Sequence, residues 1–151
     1  MSEELIKKIE EEVKEFFSKM GFEVELKVSR KEDVFKVDVQ TKEFQDLIGE
    51  KGKTLFEIQH LLNAILKKKM GEEIFLDLDI GGYKEKKIKY LKELARSVAD
   101  EVALTKKERI LEPMPAYERR IIHLELASRP DVTTESIGKE PKRRVVIRPY
   151  P

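Results

Sequence analysis

The 151-residue sequence contains no cysteine, no tryptophan, only two histidines and no long apolar run. The lack of cysteine excludes disulfides and thiolate metal sites. The two histidines lie far apart, and no Walker loop, Gly-x-Ser-x-Gly elbow or Rossmann fingerprint is present. No segment is apolar for long enough to span a bilayer, and the N-terminus, rich in Glu and Lys, does not resemble a signal peptide. These absences predict a cytoplasmic protein that is not an enzyme, needs no metal or cofactor and does not insert into membranes.

Charge is abundant but unevenly distributed. Charged residues make up 40% of the chain, yet the net charge is only +1. Residues 1–80 contain 14 basic and 19 acidic residues, whereas residues 81–151 contain 17 and 11. This asymmetry predicts that long-range attraction for a polyanion resides mostly in the second half. The clearest basic footprint is a run of cations that no acidic residue interrupts, formed by Lys142, Arg143, Arg144 and Arg148.

Apolar spacing predicts six elements in the first half. An amphipathic helix comes first, followed by a β-hairpin, a short helix, a longer amphipathic helix and a strand. The predicted order is therefore α-β-β-α-α-β, closing at Gly81-Gly82. The segments are residues 3–20, 22–28 and 35–39, a short helix before Gly49, residues 55–71 and residues 74–80.

A Gly-x-x-Gly turn lies between the last two of these helices. Glycine permits left-handed backbone conformations and lets a ligand approach the main chain closely. The N-terminus of the following helix adds free N–H donors and a partial positive charge. The spacing therefore predicts a backbone clamp for nucleic-acid phosphates over Gly49, Glu50, Lys51, Gly52 and Lys53. The alternative interpretation is a helix C-cap followed by a tight turn.

The spacing of apolar residues in the second half predicts a different set of helices and strands. A long amphipathic helix over 83–104 precedes a short strand over 109–113, and Pro115 suits the first turn of the next helix. Arg119 and His123 are four residues apart on that helix and therefore share one face. His123 is equally compatible with a structural hydrogen bond and with a ligand contact. The segments 132–137 and 142–148 predict a hairpin, in which Arg143 and Arg144 point to opposite sides.

The element order of the first half, with Gly-x-x-Gly between its second and third helices, resembles the type II (bacterial) KH domain over residues 1–81. That resemblance implies a loop that clamps about four backbone nucleotides of a single strand while the bases lie in an adjacent groove. RNA-binding KH loops usually carry one or two basic residues where this chain has Glu50-Lys51. The resemblance therefore implies a weakened clamp, in which Lys51, Lys53 and the helix terminus supply the attraction.

The motif Arg119-x-x-x-His123, followed by Thr134-Glu135-Ser136-x-Gly138-x-x-Pro141, resembles the R-three-H domain over residues 82–151. This is a small single-stranded nucleic-acid-binding module. The two modules in this order resemble the Jag (SpoIIIJ-associated) family of bacterial proteins, although the additional short N-terminal domain usual in that family is not found in this sequence. The implied fold is α+β: a KH domain followed by a small α/β R-three-H domain with two helices packed on a three-stranded sheet.

Three functions remain open from the sequence. The favoured one is a single-stranded RNA-binding protein that uses both modules, and the resemblance implies a role with transcripts of cell-envelope or division genes. The second is an adaptor that pairs with another KH-domain protein, and the third is a binder of single-stranded DNA or nucleotides. The residues expected to contact nucleic acid are Gly49, Glu50, Lys51, Gly52, Lys53, Arg119, Arg120, His123, Lys142, Arg143 and Arg144.

Overall fold

The computed structural model of the chain describes residues 2–71 and 74–151, with only the backbone of Ser2. The chain divides into two compact units, Met1–Glu85 and Lys86–Pro151. This division lies a few residues beyond the break expected at Gly81-Gly82. Each unit combines helices with one three-stranded sheet, and the α+β fold class is confirmed.

The first unit has the predicted order of elements. In its sheet β1 (Glu25–Lys31) pairs antiparallel with β2 (Val34–Gln40), and β2 pairs parallel with β3 (Phe75–Ile80), so the strand order is β1-β2-β3. A single 3-10 turn over Glu50–Gly52 separates the second helix from the third. The elements are α1 (Ser2–Lys19), β1 (Glu25–Lys31), β2 (Val34–Gln40), α2 (Phe44–Ile48), α3 (Lys53–Met70) and β3 (Phe75–Ile80).

The core of this unit lies between one face of the sheet and the apolar faces of α1 and α3. Val13 and Phe17 of α1 are four residues apart and fully buried, as are Val37 and Val39 on alternate positions of β2 and Leu55 on α3. These spacings follow from the helical and strand periods. Removing such a side chain from water contributes roughly 1.5–3 kcal/mol.

The second unit continues with the predicted helices and strands. Its antiparallel sheet consists of β4 (Arg109–Ile110), β5 (Val132–Ile137) and β6 (Arg144–Pro149), with the strand order β4-β6-β5. Buried residues of α4 such as Leu91 and Ala95 pack with Ile122 of α5 and with Val145 and Ile147 of β6. The elements are α4 (Tyr83–Thr105), β4 (Arg109–Ile110), α5 (Ala116–Leu126), β5 (Val132–Ile137) and β6 (Arg144–Pro149).

Three boundaries of the second half differ from the sequence prediction. The strand expected over 109–113 has only two residues, although the Leu111 amide still donates to the Val145 carbonyl at 2.9 Å. The last strand begins at Arg144, because the Lys142 amide donates to the Lys139 carbonyl and closes the turn. Pro115 precedes the first helical turn as the N-cap residue of α5.

A buried carboxylate fixes the start of α4. Asp79 is only 4% exposed, at the end of β3. Its Oδ1 accepts from the amides of Ile80 at 2.8 Å and Lys84 at 2.9 Å, and its Oδ2 accepts from the amide of Glu85 at 3.3 Å. The first amides of a helix have no intrahelical acceptor, so this carboxylate replaces the missing ones.

We expect Asp79→Ala to lower the free energy of unfolding by about 2 kcal/mol, because helix amides lose their acceptor in a buried position. Asp79→Asn retains one acceptor oxygen and should lose less. Urea unfolding followed by circular dichroism measures both. Asp38→Ala on the neighbouring strand β2 is the control and should change stability by no more than about 0.5 kcal/mol. An Asp79→Ala variant as stable as wild type would contradict the capping role.

Candidate nucleic-acid interface

The turn between α2 and α3 is built from left-handed backbone conformations. Gly49, Lys51 and Gly52 have φ angles of 72°, 55° and 80°. The Gly49 amide donates to the Gln45 carbonyl and ends α2, and the Gly52 amide donates to the Gly49 carbonyl at 3.3 Å. Gly49 therefore is a helix C-cap, as the alternative interpretation expected, and the chain at the same time bends sharply into α3.

Both glycines of this turn are also required by close packing. A Cβ at Gly49 would lie 2.2 Å from Oγ1 of Thr54, and a Cβ at Gly52 would lie 2.8 Å from Cε2 of Tyr83. A Cβ atom does not come so close to another heavy atom unless that neighbour is displaced. Thr54 and Tyr83 therefore support the turn from within the protein, a role that the sequence analysis did not assign to either.

The outer part of the turn faces solvent. Glu50, Lys51 and Lys53 are exposed, Gly49 is half-buried and Gly52 is buried. Among the described residues, no side chain caps the N-terminus of α3. The Lys53 amide donates to the Glu50 carbonyl, and the first-turn amides that follow it have no side-chain acceptor at this end. Within residues 2–71 and 74–151, no acidic group forms an ion pair with Lys51 or Lys53. The turn can therefore present main-chain donors and two lysines to an anion.

Arg119 faces the interior of the second unit, although the sequence analysis expected it to contact nucleic acid. It is 7% exposed. Its Nε donates to the Met114 carbonyl at 3.1 Å, and its Nη2 donates to Oε1 of Glu140 at 2.6 Å. The guanidinium thus joins the start of α5 to the turn between β5 and β6.

His123 shares this inward face with Arg119, as the four-residue spacing predicts. Its Nδ1 lies 2.7 Å from Oγ1 of Thr134, and its Nε2 lies 2.9 Å from Oγ of Ser136. Both ring nitrogens therefore bond to hydroxyls of β5. Burial lowers the pKa of His123, and the positive charge of Arg119 lowers it further. The neutral imidazole is the form that this environment favours.

Four of the basic residues expected to contact nucleic acid differ in whether their side chains bond to a backbone carbonyl. Arg120 and Lys142 are exposed, while Arg143 Nη1 donates to the Gly138 carbonyl and Arg144 Nε donates to the Lys142 carbonyl. Among the described residues, none of these four cations has a carboxylate partner within 4.0 Å. Their positive charge is therefore not cancelled locally.

Arg148 was expected in the basic footprint, but its side chain forms ion pairs with two acidic residues. Its Nε lies 3.0 Å from a carboxylate oxygen of Glu108, and its Nη1 lies 2.5 Å from one of Glu135. The two carboxylates raise the pKa of Arg148 and offset its charge. Sequence could not reveal these pairs, because the three residues belong to separate segments that meet only across the sheet.

Two further findings bear on what the chain can do. Within the described ranges, no group of three or more His, Cys, Asp or Glu side chains is placed to hold a metal ion. None of the helices described is long and apolar enough to cross a bilayer.

We expect the free energy of unfolding to decrease as the pH falls below about 6.5, the ordinary histidine value. The pKa of His123 is lowered in the fold, so the unfolded chain takes up the proton first and is favoured. Urea unfolding between pH 7.5 and 5 measures the effect. His123→Gln should flatten this part of the profile, whereas His60→Gln on the exposed side of α3 should retain it. A wild-type profile that is flat over this interval would contradict the assignment.

Comparison with known proteins identifies the second unit and relates the chain to a family. Residues 89–149 match the R-three-H domain. The RNA-binding protein KhpB of Clostridium symbiosum is 36% identical over 137 residues, covering 89% of this chain and 62% of that protein. The KhpB proteins of Lactiplantibacillus plantarum and Bacillus subtilis are 41% and 37% identical over 101 and 103 residues. Each alignment covers 67% of this chain, but only 31% and 50% of the respective relative.

The chain thus spans less than two thirds of the length of these relatives. The match to the R-three-H domain includes both Arg119 and His123, and the similarity to the Clostridium symbiosum protein extends over most of the chain. Residues 89–149 therefore form an R-three-H domain, and the chain is similar over most of its length to proteins of the KhpB (Jag) family.

Proposed function

We propose that this chain binds single-stranded RNA through two surfaces. The first, the clamp loop, is the segment from Gly49 to Lys53. The second, which we call the hairpin cations, consists of Lys142, Arg143 and Arg144 of the β5–β6 hairpin together with Arg120 of α5. The observation that carries the proposal is the exposed left-handed turn with two lysines before an uncapped helix N-terminus. The relatives named RNA-binding proteins support the same ligand class.

The clamp loop suits a phosphate backbone better than a base. Main-chain amides at a helix N-terminus attract anions, and the glycines allow close approach. Glu50 introduces a negative charge beside this path, while Lys51 and Lys53 introduce two positive ones. The net attraction of the loop is therefore small, and we expect it to depend strongly on salt.

The hairpin cations add the longer-range attraction. Arg119 bonds to Glu140 in the turn that precedes Lys142, and His123 bonds to two hydroxyls of the adjacent strand. In this proposal Arg119 and His123 hold the hairpin in position, and the four unpaired cations contact phosphates. Direct contacts of Arg119 and His123 with nucleic acid stay predictions.

Two weak surfaces on one chain can bind one strand more tightly than either alone, because binding at the first raises the effective concentration of the second. The chain is proposed to act as a binder without catalysis. Its cytoplasmic location, its link to cell-envelope or division transcripts, and pairing with another KH-domain protein stay predictions.

We expect Lys51→Ala to weaken binding of a fluorescein-labelled 12-nucleotide random RNA several-fold, and Gly49→Asp with Gly52→Asp to weaken it at least ten-fold. The lysine contributes one charge, whereas the aspartates place two anions at the phosphate path. Fluorescence anisotropy measures affinity, and circular dichroism checks folding. Lys36→Ala on the exposed part of β2 removes an equal charge and should leave affinity near wild type.

For wild type, log K plotted against log salt should have a slope of about −3 or steeper, because about four phosphates of a single strand in the clamp account for about −3 and each further phosphate contact adds to it. The matched DNA oligonucleotide tests the alternative ligand, because it lacks the 2′-hydroxyl. Affinity unchanged by both glycine substitutions, or a slope near zero, would contradict the clamp.

We expect Arg120→Ala and Arg119→Ala to have opposite profiles. Arg120→Ala should weaken RNA binding several-fold at unchanged stability, because an exposed cation is lost. Arg119→Ala should lower the free energy of unfolding by about 2 kcal/mol, because a buried guanidinium and its bonds are lost. Anisotropy and urea unfolding of both variants separate the roles. An Arg119→Ala variant of wild-type stability that no longer binds RNA would show that Arg119 contacts the ligand directly.

A further inference from the structure

The free edge of the first sheet is hydrogen-bonded by side chains of α3. Among the strands that the structure describes, β3 has a neighbour only on the side of β2. On its other side, Asn63 Oδ1 accepts from the Leu76 amide at 2.8 Å, and Asn63 Nδ2 donates to the Leu76 carbonyl at 3.1 Å. Gln59 Oε1 accepts from the Leu78 amide at 3.0 Å. The two amide side chains therefore satisfy main-chain groups that an edge strand would otherwise offer to a ligand.

Both amide side chains are held in place by further contacts. Asn63 Nδ2 also donates to the Gln59 carbonyl at 3.2 Å. The ammonium of Lys84 bonds to Gln59 Oε1 and lies 2.7 Å from Oδ1 of Asp77. The same ammonium lies 4.8 Å from the centre of the Phe56 ring. Lys84 thus covers an aromatic face on which a base could otherwise stack.

The bonds of Asn63 reproduce those that a base would make. Its amide presents an acceptor beside a donor, and the Watson–Crick edges of adenine and cytosine present the same pair, a ring nitrogen beside an amino group. Uracil also presents such a pair, a carbonyl acceptor beside the ring N–H donor. A base that approached Leu76 would therefore compete with a side chain that already makes equivalent bonds and is bound within the same chain.

We infer that Gln59 and Asn63 close the β3 edge to bases, so that the first unit holds RNA by its phosphates without discriminating bases along this edge. The inference rests on the proposed function and specifies the ligand class of its first surface. Space for a base exists once the amide is removed, since an open groove of about 900 Å³ lies beside Gln59 and Asn63. Asn63 therefore limits specificity for bases, because it occupies the main-chain donor and acceptor of Leu76.

Hydrogen exchange of the full chain tests the closed edge without RNA. The amide of Leu76 should exchange slowly in wild type and at least ten-fold faster in Asn63→Ala, because its acceptor is lost. Leu61→Ala, on the exposed side of the same helix, should leave the rate unchanged. A Leu76 amide that already exchanges fast in wild type would overturn the inference. This result is independent of RNA binding and so separates the inference from the proposed function.

Binding of labelled rA8, rC8 and rU8 tests the consequence for bases. Wild type should bind the three oligonucleotides within about three-fold of one another. Asn63→Ala should widen this range to about five-fold, because the donor and acceptor of Leu76 become available to base edges that differ in size and in their neighbouring groups. Equal affinities in a folded Asn63→Ala variant would overturn the inference.

A second measurement uses wild type alone and does not depend on how Asn63→Ala folds. Amide chemical shifts on addition of rA8 should change over residues 49–54 and remain unchanged at Leu76 and Leu78. Shifts at Leu76 and Leu78 that match those of the loop, together with a preference of more than ten-fold for one oligonucleotide, would overturn the inference.

Discussion

The contact of Tyr83 with Gly52 fixes the turn on which the proposed RNA surface depends. The ring occupies the space of a Cβ at Gly52, so the backbone can pass directly against it. Tyr83 is the first residue of α4, and Asp79 holds that helix start through the amides of Lys84 and Glu85. One buried carboxylate thereby positions the ring that supports the turn. The exposed amides and lysines owe their placement to packing beneath them.

In the second unit, contacts within the protein also determine which groups remain available to a ligand, and here those contacts are ion pairs. Many of its cations are paired with acids of the same unit, as Arg129 is with Asp100 and Asp131, and Arg148 with Glu108 and Glu135. Exposed pairs of this kind contribute little to stability, but they cancel attraction for an anion. Among the described cations without a carboxylate partner, Lys139, Lys142, Arg143 and Arg144 lie in or beside the turn between β5 and β6. The pairing pattern therefore says more than the count of charges about which cations remain available to an anion.

The sequence predicted the order of elements and the glycine turn because both depend on local rules. Apolar spacing sets helices and strands, and two glycines between helices indicate a bend. It also predicted that Arg119 and His123 share a helix face. It predicted that Arg119 contacts nucleic acid and left His123 open between a structural hydrogen bond and a ligand contact, because periodicity groups residues without telling which group is buried. The partners Thr134, Ser136 and Glu140 come from a hairpin whose packing against α5 is set by tertiary contacts.

The closed β3 edge and the inward Arg119 follow from one physical rule. A buried or half-buried polar group is costly when unsatisfied, so the protein bonds it internally wherever a side chain can reach. In the first unit main-chain groups of Leu76 and Leu78 bond to side chains of the same unit. In the second the motif arginine and histidine bond to groups of their own unit. The groups that we propose to contact RNA are helix-terminal amides and cations without a carboxylate partner, which suit a phosphate better than a particular base. On the proposed function, selection among RNAs would then arise from strandedness and charge density more than from sequence.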